Sequence, residues 1–248
     1  MLGGEEAILL TGVSKSYGRT LAVRDLSLSV RRGELFAFLG PNGAGKTTTI
    51  KMIVGLLRPD EGDVQVCGHE IGANGLAAKA QLAYVPDQPF IYDKLTGREF
   101  LLFVAEMYGL SAERRDRILA GLLRRLDLAE FLDQLTESYS HGMKQRVVLA
   151  AALLHEPAVL VIDEPMIGLD PRTIRVVKNL FKEHTQAGGT VFMSTHTLDI
   201  AEAVADRIGI INHGELIALG TLGELRAQAQ RRHSLEEIFL GLTGASDE

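Results

Sequence analysis

A single cysteine, Cys67, is all the chain has in 248 residues. One cysteine cannot build an internal disulfide framework, and its scarcity fits a reducing cytoplasm. Cys67 is read as a small packed or strand residue in preference to a reactive thiol. Long apolar runs are missing as well. No stretch reaches the ~18–20 consecutive apolar residues that a membrane span needs. The longest apolar stretches, residues 147–154 and 159–162, are too short. Nor is there an excess of positive charge. The formal net charge is -6, which argues against a nucleic-acid footprint, because that requires clustered lysine and arginine. Residues 1–6 carry acidic side chains in place of a basic and then apolar leader, so no signal peptide is expected. Low-complexity segments and fixed-period repeats are lacking too. What remains is a chain with 46% hydrophobic residues, enough for a sizeable core in one large α/β domain.

Strand patterns open the chain. Residues 8–30 read as short strands, and Leu26-Ser27-Leu28-Ser29-Val30 alternates as a strand with one wet face does. Leu35-Phe36-Ala37-Phe38-Leu39 is apolar throughout, and residues 49–57 follow with helical spacing. Arg58-Pro59-Asp60-Glu61-Gly62-Asp63 is a stop and turn, and residues 63–67 alternate again. After the short strand Leu82-Ala83-Tyr84-Val85 the pattern becomes helical. Thr96 and Glu99 fit a capping box, with Leu95 and Phe100 as its hydrophobic staple. Phe100, Phe103, Val104 and Met107 then recur at helical spacing, and Ile118, Leu119, Leu122, Leu123 and Leu126 form a second stripe. A helical subdomain over about residues 90–155 therefore interrupts the sheet. Val159-Leu160-Val161-Ile162 resumes it as a strand covered on both faces. A helix with Ile174, Val177, Leu180 and Phe181 on one face follows. Strands at 190–193, 208–211 and 216–218 and a helix near 199–205 complete the alternation, which predicts a parallel sheet. Residues 221–248 read as an amphipathic helical tail.

The chemistry centres on Gly40-Pro41-Asn42-Gly43-Ala44-Gly45-Lys46-Thr47-Thr48, between the apolar strand and the helix. It fits G-x-x-x-x-G-K-[ST]. The glycines let the backbone turn tightly with its N–H groups inward, and with the helix N-terminus they make a nest for phosphate oxygens. Lys46 supplies a full charge at the β/γ-phosphates, and Thr47 a hydroxyl for Mg²⁺. Asp163 and Glu164 close the strand at 159–162. A carboxylate there can hold Mg²⁺ with Thr47 and water, which suits Asp163. Glu164, one residue on, can orient or deprotonate the attacking water. His196 follows Met193-Ser194-Thr195 at another strand end, where an α/β sheet binds its ligands. It is placed to contact a γ-phosphate or the water. Ser140-His141-Gly142-Met143-Lys144-Gln145 precedes an apolar helix and makes a second anion site, distant in sequence from the first.

Together these motifs resemble the ATP-binding subunit of ATP-binding-cassette (ABC) transporters, over essentially the whole chain. Gly40 to Thr48 is similar to the family's Walker A, and Leu160-Val161-Ile162-Asp163-Glu164-Pro165 to its Walker B with the glutamate. Ser140-His141-Gly142-Met143-Lys144-Gln145-Arg146 resembles the signature, Gly168-Leu169-Asp170-Pro171 the D-loop, and Ser194-Thr195-His196 the switch histidine. Tyr17 matches the aromatic that stacks on adenine, a contact worth roughly 1–3 kcal/mol. Two positions depart from the pattern. His141 stands where the signature usually has glycine, and Asp87 stands where a glutamine usually follows the Val-Pro, with Gln88 next. Either Asp87 or Gln88 is then the Mg²⁺ or water ligand.

The resemblance implies one ABC ATP-binding domain over residues 1–248. Its P-loop NTPase (RecA-like) parallel-sheet core would carry an N-terminal antiparallel β subdomain and the inserted α-helical subdomain. It implies an ATPase using ATP and Mg²⁺, pairing with a second ATP-binding subunit so that two copies sandwich two ATP head to tail. Ser140 and Gly142 of one copy would clamp the γ-phosphate held by the other's Lys46. An integral membrane permease would be the partner, and the site of action the inner face of the cell membrane, peripheral on its cytoplasmic side. Phe90, Ile91 and Tyr92 suit either a contact with that permease or core packing. Ser234-Leu235-Glu236-Glu237-Ile238-Phe239-Leu240 is similar to the ends of exporter ATPase subunits, and with Tyr92-Asp93-Lys94-Leu95-Thr96 it points to the ABC-2 exporter type. A soluble relative acting on ribosome or DNA would instead carry tandem cassettes or long coiled-coil insertions. A clamp that binds ATP without useful hydrolysis is opposed by Glu164 and His196.

Overall fold

The computed structural model describes residues 6–72, 75–228 and 235–244. Strands β1 (Glu6–Tyr17) and β2 (Thr20–Arg31) form an antiparallel hairpin turned at Gly18, whose φ is +60°. These are two long strands, where the sequence predicts several short ones. The pairing slips between Leu10 and Val13 and again between Val13 and Lys15, beside Gly12 and Asp25, both at positive φ. Each slip is a bulge, which breaks the two-residue alternation without ending the strand. Beyond them the wet-face reading of 26–30 matches the structure: Leu26, Leu28 and Val30 are buried and Ser27 is exposed.

Strand β3 (Leu35–Leu39) has no exposed residue. Leu35, Ala37 and Leu39 enter one hydrophobic cluster, and Phe36 and Phe38 the other, so the strand separates two cores. Burying each large side chain contributes about 1.5–3 kcal/mol relative to leaving it in water. Helix α1 (Lys46–Ile53) starts directly after the glycine-rich loop and stops before Gly55 at φ +70°. It is thus earlier and shorter than the spacing predicts. Strands β4 (Glu61–Val66) and β5 (His69–Glu70) complete a four-stranded antiparallel sheet of order β2-β1-β4-β5. Cys67 lies past the end of β4, half-buried at φ +51°, so it is a turn residue and not a strand one.

Helix α2 (Leu76–Ala80) leads to strand β6 (Leu82–Val85). The helical lobe follows, with α3 (Gly97–Met107), α4 (Ala112–Arg125) and α5 (His141–Leu153). The capping box is formed: Glu99 N donates to Thr96 Oγ1 at 3.2 Å, and Thr96 N donates to Glu99 Oε2 at 2.8 Å. One predicted stripe is corrected. On α3 the inward face is Gly97, Phe100, Leu101 and Ala105, while Phe103 and Met107 are 42% and 72% exposed. The helix is rotated from the reading because Phe103 sits over Tyr92 on the outside, ring centroids 6.1 Å apart.

Strand β7 (Val159–Asp163), helix α6 (Pro171–Gln186), strand β8 (Thr190–Thr195), helix α7 (Leu198–Val204) and strands β9 (Arg207–Asn212) and β10 (Glu215–Gly220) return to the core. The second sheet has the order β10-β9-β3-β8-β7-β6. It is parallel from β6 to β9, but β10 pairs antiparallel with β9 through the Gly214 turn, φ +82°, so the expected parallel sheet has one antiparallel edge. Crossovers place the C-terminal ends of β3, β7 and β8 side by side. Helices α8 (Leu222–Gln228) and α9 (Leu235–Thr243) form the tail. Residues 229–234 and 245–248 of the expected tail, Ser234 among them, lie outside the described residues.

Candidate active site

The glycine-rich loop between β3 and α1 is pressed between two neighbouring strands. A Cβ on Gly40 would stand 2.5 Å from the Ile211 carbonyl oxygen of β9. A Cβ on Gly45, at φ +108°, would stand 2.5 Å from the Ala22 carbonyl oxygen of β2. Only glycine fits at either place. Gly43, at φ +79°, meets nothing within 4 Å and faces open space. Lys46 leads α1 and is 7% exposed. Its ammonium donates to the carbonyls of Gly40 at 2.7 Å and Pro41 at 3.2 Å. Burial holds its pKa below the usual lysine range, and the nearby Glu164 and Asp163 carboxylates oppose that shift.

Opposite the loop, β7 and β8 deliver their polar ends. Asp163 is buried, and its Oδ2 accepts from Thr47 Oγ1 at 2.9 Å. Ser194 Oγ donates to Asp163 Oδ1 and accepts from Glu164 N at 3.1 Å. Glu164 itself sits at φ +48°. For a residue with a Cβ this is a strained, left-handed conformation, and it redirects the chain at the strand end. Glu164 Oε1 lies 2.9 Å from His196 Nδ1 and 3.9 Å from Lys46 Nζ. Its other oxygen, Oε2, is buried without a hydrogen-bond partner.

These groups surround one cavity of about 430 Å³, lined by Asn42, Gly43, Lys46, Thr47, Thr48, Asp87, Asp163, Glu164 and His196 with Ala22, Gly45 and Ile167. Asp87 is on its wall and Gln88 is not; the Gln88 N–H donates to Asp87 Oδ1 at 2.8 Å. The hydroxyl of Tyr84 is pushed up to about 12 by burial and by the charges of Asp163 and Asp87. A cavity with backbone amides at a helix N-terminus, one ammonium and a free carboxylate oxygen can grip a polyanion and direct water at it.

Residues 23–167 match the family model described as "ABC transporter". The chain belongs to that family. It is an ATP-hydrolysing ABC transporter subunit. Among curated relatives, the linearmycin resistance ATP-binding protein LnrL of Bacillus subtilis is 40% identical over 213 residues, covering 86% of this chain and 68% of that one. The Nod factor export ATP-binding protein I of Burkholderia orbicola is 39% identical over 208 residues, covering 84% of this chain and 68% of its own. A solved ATP-binding subunit of an ABC transporter superposes with TM-score 0.89 at 37% identity, covering 95% of this chain and 99% of its own. A dimeric ATP-binding cassette in a post-hydrolysis state, bound to ADP and Pi, superposes at TM-score 0.76 and 26% identity, covering 87% of this chain and 98% of its own.

Not every predicted residue of this ABC subunit reaches the cavity. Tyr17 ends β1 on the surface, 51% exposed, and does not line it. Ser140 caps α5, accepting from Met143 N at 3.3 Å, and neither it nor Gly142 lines the cavity. A Cβ on Gly142 would meet only Leu169 and Thr173 at 3.7 Å, an ordinary contact. Nothing inside the chain therefore demands glycine there. His141 lies against the D-loop, its Cδ2 3.5 Å from where a Cβ on Gly168 would be. Gln145 and Arg146 of the same motif turn inward. Gln145 Nε2 reaches the Pro165 carbonyl at 3.5 Å, and Arg146 Nη1 donates to the carbonyls of Leu126 and Asp127 at 3.2 and 2.8 Å.

Sequence reasoning missed Ser194 as the link between Asp163 and Glu164. Its only signal was a hydroxyl two residues before His196. The oxygen pair Thr47 and Asp163 fits Mg²⁺, a hard cation that takes few protein ligands and fills its shell with phosphate oxygens and water. No group of three or more His, Cys, Asp or Glu side chains that could hold a metal ion occurs among the described residues.

Proposed function

We propose that this subunit binds Mg-ATP in the cavity, pairs with a second cassette across it, and drives an integral permease that exports its cargo. The buried, unpartnered Glu164 Oε2 carries the reading. An unsatisfied carboxylate oxygen in a polar cavity is costly unless a donor arrives, and an attacking water is such a donor. Lys46, Asn42 to Thr48 and their amides grip the phosphates. His196, anchored through Nδ1 to Glu164, presents its other ring nitrogen to the γ-phosphate. Thr47 and Asp163, with Asp87, hold Mg²⁺. When bound, that ion neutralises charge on the β- and γ-phosphates. Tyr17 stacks on the adenine from the rim.

The partner subunit's Ser140 and Gly142 close the sandwich. The lack of any internal crowding that would demand glycine at 142, together with the exposed start of α5, supports this, as does the dimeric state of the post-hydrolysis relative. Gly142→Ala should leave the fold intact and lower ATP hydrolysis roughly 10-fold or more, because the methyl group would stand between helix and phosphate. A variant with full activity would remove Gly142 from the site.

Export is favoured by the Nod factor export relative. No helix among the described residues is long and apolar enough to cross a membrane, so the permease supplies the span and the subunit works at the membrane's cytoplasmic face. Phe90 and Tyr92, 72% and 51% exposed, form with Phe103 an aromatic surface for that contact, whereas Ile91 is core.

Asp87, and not Gln88, is the ligand in this reading, because only Asp87 reaches the cavity wall. Its charge faces the triphosphate. Asp87→Gln keeps an oxygen ligand and removes that charge, so kcat should rise about 3- to 10-fold with ATP affinity within about 3-fold. Steady-state hydrolysis and nucleotide titration check this. A large affinity loss with unchanged kcat would contradict the assignment.

A further inference from the structure

We propose that tail helix α9 is a brace that positions His196, and that Glu202 is the positioning residue through which it acts. The inference rests on the reading of His196 given above. Helix α7 begins at Leu198 after the N-cap Thr197, and His196 lies two residues before it, in the short link from β8. The helix has seven residues and no side-chain cap bond at its N-terminus. A helix that short has no stability of its own, so its placement is set by what it packs against. Ala201 and Val204 face the core. On another face, Glu202 Oε1 accepts from Leu235 N, the first residue of α9, at 3.0 Å and from Arg226 Nη2 of α8 at 3.4 Å. One carboxylate thus ties the switch helix to both tail helices, and it occupies a donor at the start of α9 that the helix itself leaves unpaired.

The far end of α9 is tied to the end of β9, which backs the phosphate loop. Asn212 Nδ2 donates to the Thr243 carbonyl at 3.4 Å. Asn212 adjoins Ile211, the residue whose carbonyl backs Gly40 and whose side chain reaches toward Gly45. Between these ties, Leu235 and Ile238 are buried in the larger core cluster. The tail therefore spans from the phosphate loop's support to the switch-histidine helix. The register of β8 against β3 already places Thr195 beside Leu39, so what is left for the tail to set is the course of the chain from His196 into α7.

Kinetics of the full-length chain test this, with rates taken per ATP-binding site. Glu202→Ala should lower kcat roughly 3- to 10-fold while KM for ATP stays within about 2-fold, since the phosphate loop is untouched. Glu202→Gln keeps an oxygen for Leu235 N and should restore most of the rate. In a His196→Ala background, Glu202→Ala should cost nothing further, because the two residues act as one unit. Unchanged kcat in Glu202→Ala, a loss expressed in KM, or a fully additive loss in the double variant would overturn the brace. Full activity in His196→Ala alone would overturn the role given to His196, and the brace with it. A merely structural Glu202 would lower thermal stability and give additive losses.

Discussion

Replacing Lys46 by alanine is expected to weaken ATP binding roughly 30- to 1,000-fold, the consequence of losing about 2–4 kcal/mol of charge-assisted contact. Among the described residues the ammonium is the one Lys or Arg charge lining the cavity, and it is already desolvated at 7% exposure. It is held by the Gly40 and Pro41 carbonyls, and both lie in the glycine-rich loop proposed to bind the phosphates. The lysine therefore needs little rearrangement to reach a β- or γ-phosphate. Titration of the variant with ATP, alongside thermal unfolding to show that it folds, measures the effect. Unchanged affinity would refute the phosphate-loop assignment.

The second large effect is expected from Glu164→Gln. Gln keeps the shape and the oxygen facing His196 but cannot take a proton from water, so kcat should fall roughly 100-fold or more. ATP affinity should not fall, because a negative charge beside the γ-phosphate has been removed. With hydrolysis blocked, the ATP-loaded state accumulates, and size-exclusion chromatography with Mg-ATP should show a dimer. A monomer under those conditions, with ATP bound, would contradict the sandwich. A variant that still turns over at the parent rate would take the base away from Glu164.

Much of the site is legible in the sequence because it is local. Gly40 to Thr48 is one turn between one strand and one helix, and Asp163-Glu164 is one strand end. The capping box at Thr96 and Glu99 is local as well, and both of its hydrogen bonds form. What was not legible depends on strand order. The role of Ser194 needs β8 to lie beside β7, which puts its hydroxyl between Asp163 and Glu164. The crowding of Gly40 needs β9 beside β3. Neither neighbour is given by a chain read in order. The long hairpin of β1 and β2 was hidden by its bulges, since each slip shifts the buried face by one residue. The rotation of α3 was hidden for another reason. Phe103 and Met107 have the apolarity of core residues, and only their 42% and 72% exposure shows that they face outward. Glu202 carried no sequence signal at all, because its partners Leu235 and Arg226 come from the tail.

The central claim is that Lys46 and Glu164 face one another across the terminal phosphate of a bound nucleotide. A crystal structure of the Glu164→Gln chain grown with Mg-ATP tests it most directly. The account expects the γ-phosphate within hydrogen-bond distance of Lys46 Nζ, with the residue at 164 beside it and the partner subunit's Ser140 opposite. Nucleotide bound elsewhere, or Lys46 turned away from it with position 164 remote from the γ-phosphorus, would contradict the account.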